Sequence, residues 1–451
     1  MKIIVAGGGK VGELLCEELA NQYHDLVLIE KNPDVLEHLL DHYDITGLVG
    51  NAAAYDIQVE AGVKDADVFI ATSETDEINI ISAIMARKIG AKYTVARVRN
   101  PEYATQFDFV RDSLGIDLLI NPDFSAARDI AAIIKYPSSL SVETFMGGRI
   151  NLVEFEISDR SSLVGIPLYD YKSKFGSLRV CIIHRGDEVM IPKADSRLQV
   201  GDRVHVTGFV NDMLKFRQCL LDGDGQIKSV MVVGGGRIAH YLLKLLSKSR
   251  IDTKVIEQDE DRCEVLSVEW PQTTVVWGDG TDPTLLEEEG LTQYDAFVSL
   301  TGVDEENLIT SVYAKHSGIK KVITKMSRTK ILKILGDIKI KSIITPKQLI
   351  ANDIIRFIRS RTNLQGSNVE ALYRLADNQV EALQFRVKKE SKVCFIPLQE
   401  LKLRKDLFIV SIIRNEELIF PAGQDSLQPH DRVILVTTHN HLTDINDILE
   451  A

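Results

Sequence analysis

Short apolar runs punctuate the first 120 residues, each closed by a polar or glycine-containing break: KIIVAG, DLVLIE, TGLVG, DVFIAT, YTVARV and DLLIN. Continuous rather than alternating apolar character predicts strands covered on both faces, as in a parallel sheet. Between these runs the period changes to that of a helix; after Gly12, Leu15 and Leu19 fall at i and i+4. Strand and helix in alternation predict an α/β domain. Residues 150–218 read differently, as short runs with polar interruptions (INLVEFEI, RVCIIHRG, EVMIP, DRVHVTG), which predicts a small β-rich module. The polar, glycine-containing stretch at 221–226 reads as a linker.

The pattern then repeats. Gly7 and Gly234 are 227 residues apart, as are Glu30 and Glu257; Gly50 and Gly278, Asp67 and Asp295, Asn79 and Asn307, and Gly90 and Gly318 are 228 apart. Farther on, Ile166-Pro167-Leu168 recurs as Ile396-Pro397-Leu398, and Asp202-Arg203-Val204 as Asp431-Arg432-Val433. So constant an offset predicts duplication of a whole two-domain unit. The expected boundaries are a nucleotide-binding sheet domain at 1–120, a connecting helix and small domain at 121–220, a second sheet domain at 228–346, and a second helix and small domain at 347–451.

Each sheet domain opens on a glycine turn. Gly7-Gly8-Gly9-Lys10-Val11-Gly12 follows the first strand and begins a helix, and Glu30 ends the second strand. This is the Rossmann-like arrangement: the first glycine makes the turn, the second admits a pyrophosphate, and the third packs helix on strand. A helix N-terminus offers the phosphates unpaired N–H groups. Glu30 is expected to accept ribose hydroxyls and repel a 2′-phosphate, favouring NAD(H) or an adenine nucleotide over NADP(H). The second copy reads Gly234-Gly235-Gly236-Arg237-Ile238-Ala239 with Glu257. Other strand ends complete the candidate pockets: Asn51, Ser73, Glu74 and Arg97 in the first, Asp279, Thr301 and Lys325 in the second. Lys10 and Arg237 are candidates to pair with phosphate.

Composition narrows the class. A formal charge of −12 argues against a whole-molecule role on nucleic acid or anionic lipid. Five scattered cysteines without a CxxC pair predict buried thiols in a reducing cytosol. No apolar stretch approaches the roughly 18 residues of a membrane span, so the expected location is cytoplasmic. Ten Lys or Arg against one acid between Lys315 and Lys347 read as a solvated basic face or a surface for an acidic partner. A dehydrogenase would require an acid/base group, and His184, His205 and His316 have no carboxylate or nucleophile at relay spacing. His38 and His42, with Asp41, and His439 with His441 read as exposed pairs in preference to metal ligands. No catalytic and no metal residue is assigned. An NAD-dependent oxidoreductase and a scaffold with degenerate nucleotide sites remain the alternatives.

These residues together resemble the RCK (regulator of K⁺ conductance) family. The marks are MKIIVAGGGKVG, Ala61-Gly62-Val63-Lys64-Asp65-Ala66-Asp67, Asp76-Glu77-Ile78-Asn79 and Ala96-Arg97-Val98-Arg99, in a chain that carries the unit twice. The resemblance implies tandem Rossmann-like domains, each followed by a small α+β RCK C-terminal domain. It implies a first site of Gly7, Gly8, Gly9, Lys10, Val11, Glu30, Ser73, Glu74 and Arg97, and a second of Gly234, Gly235, Gly236, Arg237, Ile238, Glu257, Thr301 and Lys325. It further implies a non-enzymatic regulatory subunit, peripheral to the inner face of the membrane. Such a subunit binds NAD(H), ATP or ADP, forms a homotetrameric ring and gates a TrkH-type potassium channel subunit. The departures are Ser73-Glu74 and Asn51, where the family carries Thr-Asn and Asp.

Overall fold

The computed structural model describes residues 1–20, 25–104, 113–136, 139–145, 150–186, 188–220, 227–247, 249–328, 340, 342–362, 369–375, 379–439 and 442–450. The six apolar runs of the first half form β1 (Lys2–Ala6), β2 (Asp25–Glu30), β3 (Thr46–Val49), β4 (Val68–Ala71), β5 (Tyr93–Arg97) and β6 (Leu118–Ile120). All pair in parallel, in the order β3-β2-β1-β4-β5-β6. Strand order reverses between β1 and β4, which opens a crevice at their carboxyl ends. Helix Lys10–Ala20 follows β1 and buries Val11, Leu15, Cys16 and Leu19, the stripe its period predicts.

The second half repeats this plan with β12 (Ser229–Val233), β13 (Asp252–Glu257), β14 (Thr274–Trp277), β15 (Ala296–Ser299), β16 (Lys321–Lys325) and β17 (Ser342–Ile344), ordered β14-β13-β12-β15-β16-β17. The small modules are five-stranded sheets whose strands pair antiparallel. The first is β7 (Ser139–Phe145), β8 (Ile150–Glu156), β11 (Arg203–Thr207), β9 (Arg179–Arg185) and β10 (Glu188–Met190), in that order across the sheet. The second is β18 (Val369–Leu375), β19 (Val380–Arg386), β22 (Arg432–Thr437), β20 (Leu407–Arg414) and β21 (Glu417–Ile419). The fold is therefore a duplicated parallel-sheet domain with duplicated small domains. Strand β7 lies wholly before residue 150, outside the stretch read as β-rich; its apolar residues Leu140 and Val142 alternate with polar ones and form no continuous run. The linker expected at 221–226, residues 329–339 and 341 of the basic stretch, and His441 of the second histidine pair lie outside the described residues.

Like domains associate with like. One compact unit contains Met1–Ile134 and Ile227–Ile355; the other contains Lys135–Gln226 and Arg356–Ala451. In the first unit the connecting helix Pro122–Lys135 buries Ala126, Ala127, Ile130, Ile133 and Ile134 in one core with Val230, Val232, Leu242 and Leu246 of the second sheet domain. Its N-terminus is fixed by Asn121, whose Oδ1 accepts from the Phe124 N–H at 2.8 Å and whose Nδ2 donates to the Tyr241 hydroxyl at 2.7 Å. Tyr241 in turn donates to the Arg99 carbonyl at 3.0 Å.

In the second unit, Phe145 packs against Tyr373 with ring centroids 4.0 Å apart and planes tilted by 43°, inside a core drawn from both small sheets. Asp202 and Asp431, noted above only as repeated letters, hold Arg185 and Arg414 through paired hydrogen bonds of 2.8–2.9 Å. Register also places buried Glu154 opposite buried His205, a juxtaposition invisible in sequence spacing. Among the described residues no helix is long and apolar enough to cross a membrane, and no cluster has a metal-binding donor set. His38 and His42 lie in contact with ring centroids 4.3 Å apart and planes tilted by 47°, and the His42 ring bonds the His38 carbonyl.

Candidate functional site

Two pockets open at the carboxyl ends of the parallel strands, one in each half. The first encloses about 500 Å³ and is lined by Gly7, Gly8, Gly9, Lys10, Val11, Glu30, Ser73, Glu74 and Arg97, together with Lys31, Asn32 and Asn51. The second encloses about 360 Å³ and brings together Gly234, Gly236, Arg237, Ile238, Glu257, Asp279, Thr301 and Lys325. Gly235 stands outside that lining, its N–H turned to Glu257.

The turns need glycine for steric reasons. Gly7 has φ +103°, and a Cβ there would lie 2.8 Å from the Ser73 nitrogen; Gly234 has φ +96° and would meet the Leu300 carbonyl carbon at 2.9 Å. At Gly12 a Cβ would lie 1.9 Å from the Gly7 oxygen. Gly9 behaves oppositely: its Cβ direction meets nothing within 4 Å, and at Gly236 the nearest atom is Arg262 Nη1 at 4.0 Å. Backbone, helix start and open space converge there, as an anion cradle requires.

The acidic residues line the pockets as expected and also brace the glycine turns. Glu30 is buried, and its carboxylate accepts the Gly8 N–H at 2.5 Å and the Asn32 N–H at 2.9 Å. Glu257 repeats this with Gly235 at 2.5 Å and Asp259 at 3.0 Å. Each carboxylate thus pins the glycine turn to the second strand. Each oxygen keeps a further lone pair for a ribose hydroxyl.

The far wall is set by the fourth and fifth strands of each sheet. Asn79 donates to the carbonyls of Ser73 and Arg97, and Asn307 brackets Thr301 through both N–H and carbonyl. Arg97 donates to the Ser73 and Glu74 carbonyls, while its Nε is buried without a partner among the described residues. Burial, aided by Arg99 and then Arg237 and opposed by Asp76 and Asp123, pushes its guanidinium down to about 10, so it stays cationic at neutral pH. Lys325 donates to the Thr301 carbonyl at 2.7 Å. Burial lowers its ammonium from the ordinary value; Asp123 and Asp304 oppose that, and Arg237 and Lys10 add to it.

Glu74, an unfavourable neighbour for phosphate by itself, is paired with Lys31 at 3.1 Å. Asp279 accepts from the Thr281 N–H and hydroxyl at 2.9 and 2.8 Å. The two linings differ in sign. Lys10, Lys31 and Arg97 outnumber Glu30 and Glu74 in the first. In the second, Asp123, Glu257, Asp279 and Glu306 outnumber Arg237, Arg262 and Lys325. Sequence reasoning missed Asp123, which belongs to the first half yet lines the second pocket, where it pairs with Arg237 at 2.7 Å. Its position directly after Asn121-Pro122 marks a helix start but says nothing of which domain that helix meets.

Comparison with known proteins agrees with this architecture. The TrkA-N domain family matches residues 3–122 and 230–346, and the TrkA-C domain family matches 152–220 and 382–450. A Trk system potassium uptake protein TrkA homolog of Archaeoglobus fulgidus is 30% identical, covering 99% of this chain and 100% of its own length. The Trk system potassium uptake protein TrkA of Vibrio alginolyticus is 30% identical over 100% and 99%. Among solved structures, the GsuK RCK domain superposes with a TM-score of 0.64 at 15% identity, covering 96% of this chain and 92% of its own. A GsuK channel bound to NAD gives the same score at 14% identity, over 97% and 76%.

Proposed function

The chain belongs to the TrkA family, and from that premise we propose that it is a non-enzymatic regulatory subunit of potassium uptake that binds NAD(H) and adenine nucleotides. The observation that carries this reading is the duplicated cradle: in both halves a glycine turn, pinned by a buried carboxylate, faces open space at the start of a helix. The same residues fit a nucleotide. Glu30 and Glu257 retain acceptor capacity for ribose hydroxyls, and backbone N–H groups at the helix starts supply phosphate donors. Arg97 and Lys325 add positive charge at the pocket wall. The roomier, more cationic first pocket suits a dinucleotide; the second, with Arg237, suits discrimination of ATP from ADP.

Regulation follows from linkage. A nucleotide shifts the subunit only by its difference in affinity for two conformational states, about 1.4 kcal/mol for each tenfold change in population. In this reading the subunit works in the cytoplasm at the inner face of the membrane, as a homotetrameric ring on a TrkH-type channel subunit. The relatives' names supply the potassium-uptake context. Calorimetric titration of the full chain with NAD⁺, NADH, ATP and ADP tests the binding. Potassium flux through the reconstituted partner, with and without each nucleotide, tests the regulation. Absence of binding by all four overturns the reading. Multiple-turnover oxidation of NADH by a carbonyl substrate supports the oxidoreductase alternative instead.

A further inference from the structure

Asp123 and Arg237 lie 114 residues apart in sequence, on helices of different halves, yet their side chains meet at the mouth of the second pocket at 2.7 Å. The contact is built. Asn121 caps the helix that carries Asp123 and is itself held by Tyr241, which lies on the same helix as Arg237. The two charged residues therefore sit on helix starts that are locked together by a separate hydrogen bond. Asp123 is 13% exposed and Arg237 50% exposed, so the carboxylate is held in place while the guanidinium faces the opening. The charge field around Asp123 reaches further, to Lys325 in the second pocket and Arg97 in the first.

The matching position of the other half carries the opposite charge. The second connecting helix also begins at proline, Pro346, but the next residue is Lys347 where the first has Asp123.

Resting on the nucleotide reading of the second pocket, we propose that Asp123 is a positioning residue that sets its phosphate selectivity by occupying Arg237. In the unliganded pocket the carboxylate holds the place that a terminal phosphate would take on the guanidinium. A nucleoside monophosphate, whose phosphate lies at the glycine turn, leaves the pair intact. A triphosphate long enough to reach Arg237 must displace Asp123. An ion pair with one half-exposed partner is worth up to roughly 1 kcal/mol, about fivefold in affinity. That penalty falls selectively on the longer polyphosphate. It makes the second pocket less responsive to ATP than its basic residues alone would make it.

The test is calorimetry on the full chain with AMP, ADP and ATP, in magnesium-free buffer, with Gly9→Asp introduced to silence the first pocket. In that background Asp123→Asn should strengthen ATP binding about three- to fivefold, leave AMP within about twofold, and lose its effect when Arg237→Ala is added. Asp123→Glu, which keeps the carboxylate, should restore the parental ATP/AMP ratio. An equal change for all three nucleotides, weaker ATP binding in Asp123→Asn, or an undiminished effect without Arg237 overturns the proposal. If the Gly9→Asp chain with Asp123 and Arg237 intact binds none of the three, the nucleotide reading of this pocket fails first, and that outcome is seen before any Asp123 variant is made.

Discussion

Replacing Gly12 by alanine should damage the first pocket severely, although the second copy carries Ala239 at the matching position. A methyl on Gly12 would lie 1.9 Å from the Gly7 oxygen, about 1.5 Å short of an ordinary contact. The oxygen has little freedom to retreat: the Gly7 N–H donates to the Ile29 carbonyl at 2.8 Å, and the Thr72 hydroxyl donates to the oxygen itself. The helix Lys10–Ala20 must move instead, and Leu15, Cys16 and Leu19 on its inner face are completely buried. Overpacking of this kind costs about 1–3 kcal/mol, and a backbone obstacle places Gly12→Ala near 3. At about 2–4 °C per kcal/mol for a unit of this size, the melting temperature should fall roughly 6–12 °C. NAD(H) affinity should drop more than about tenfold, since the helix start belongs to the cradle.

The mirror change, Ala239→Gly, removes one buried methyl and loosens a helix. It should cost only about 1–2 kcal/mol. Differential scanning calorimetry and nucleotide titration on both variants provide the measurement. A Gly12→Ala chain that melts within about 0.5 kcal/mol of wild type and binds NAD(H) normally refutes the steric account.

Three further outcomes follow from the same geometry. Gly9→Asp and Gly236→Asp place a carboxylate in open space inside each cradle. At about 4 Å and an effective dielectric near 20, repulsion of a phosphate is roughly 4 kcal/mol, so binding at the altered site should fall more than about a hundredfold with melting unchanged. Glu30→Gln leaves the Gly8 or Asn32 N–H facing an amide NH₂; it should destabilise the first domain by about 2 kcal/mol and narrow the preference for NAD(H) over NADP(H), read by paired titrations. Burial by itself would raise the Asp67 carboxyl, but hydrogen bonds from the Lys92 ammonium and the Lys2 N–H hold it below the ordinary 3.8. Its stabilising contribution is therefore complete above about pH 4 and is lost as pH falls through the lower folded-state value. Melting curves between about pH 5 and pH 2.5 should steepen in their pH dependence in wild type relative to Asp67→Asn.

The sequence by itself determined the strand and helix alternation, the glycine turns and the duplication. These depend on period, backbone sterics and local spacing, which neighbouring residues settle among themselves. The runs KIIVAG through DLLIN became β1–β6, and both glycine turns lie between a first strand and its helix. What tertiary structure alone decided involves partners distant in the chain. Sequence spacing shows Asp202 and Asp431 as a repeat; only the antiparallel register reveals the arginines they hold. It likewise marks Glu30 as a candidate for a ribose, and only the packing of the second strand against the turn reveals it as an anchor for Gly8. Above all, the connecting helix of the first half packs on the second sheet domain and carries Asp123 to Arg237. A helix start encodes its cap locally, but which surface covers its apolar face is settled by burial across the whole unit, and that choice assembles the second pocket from both halves of the chain.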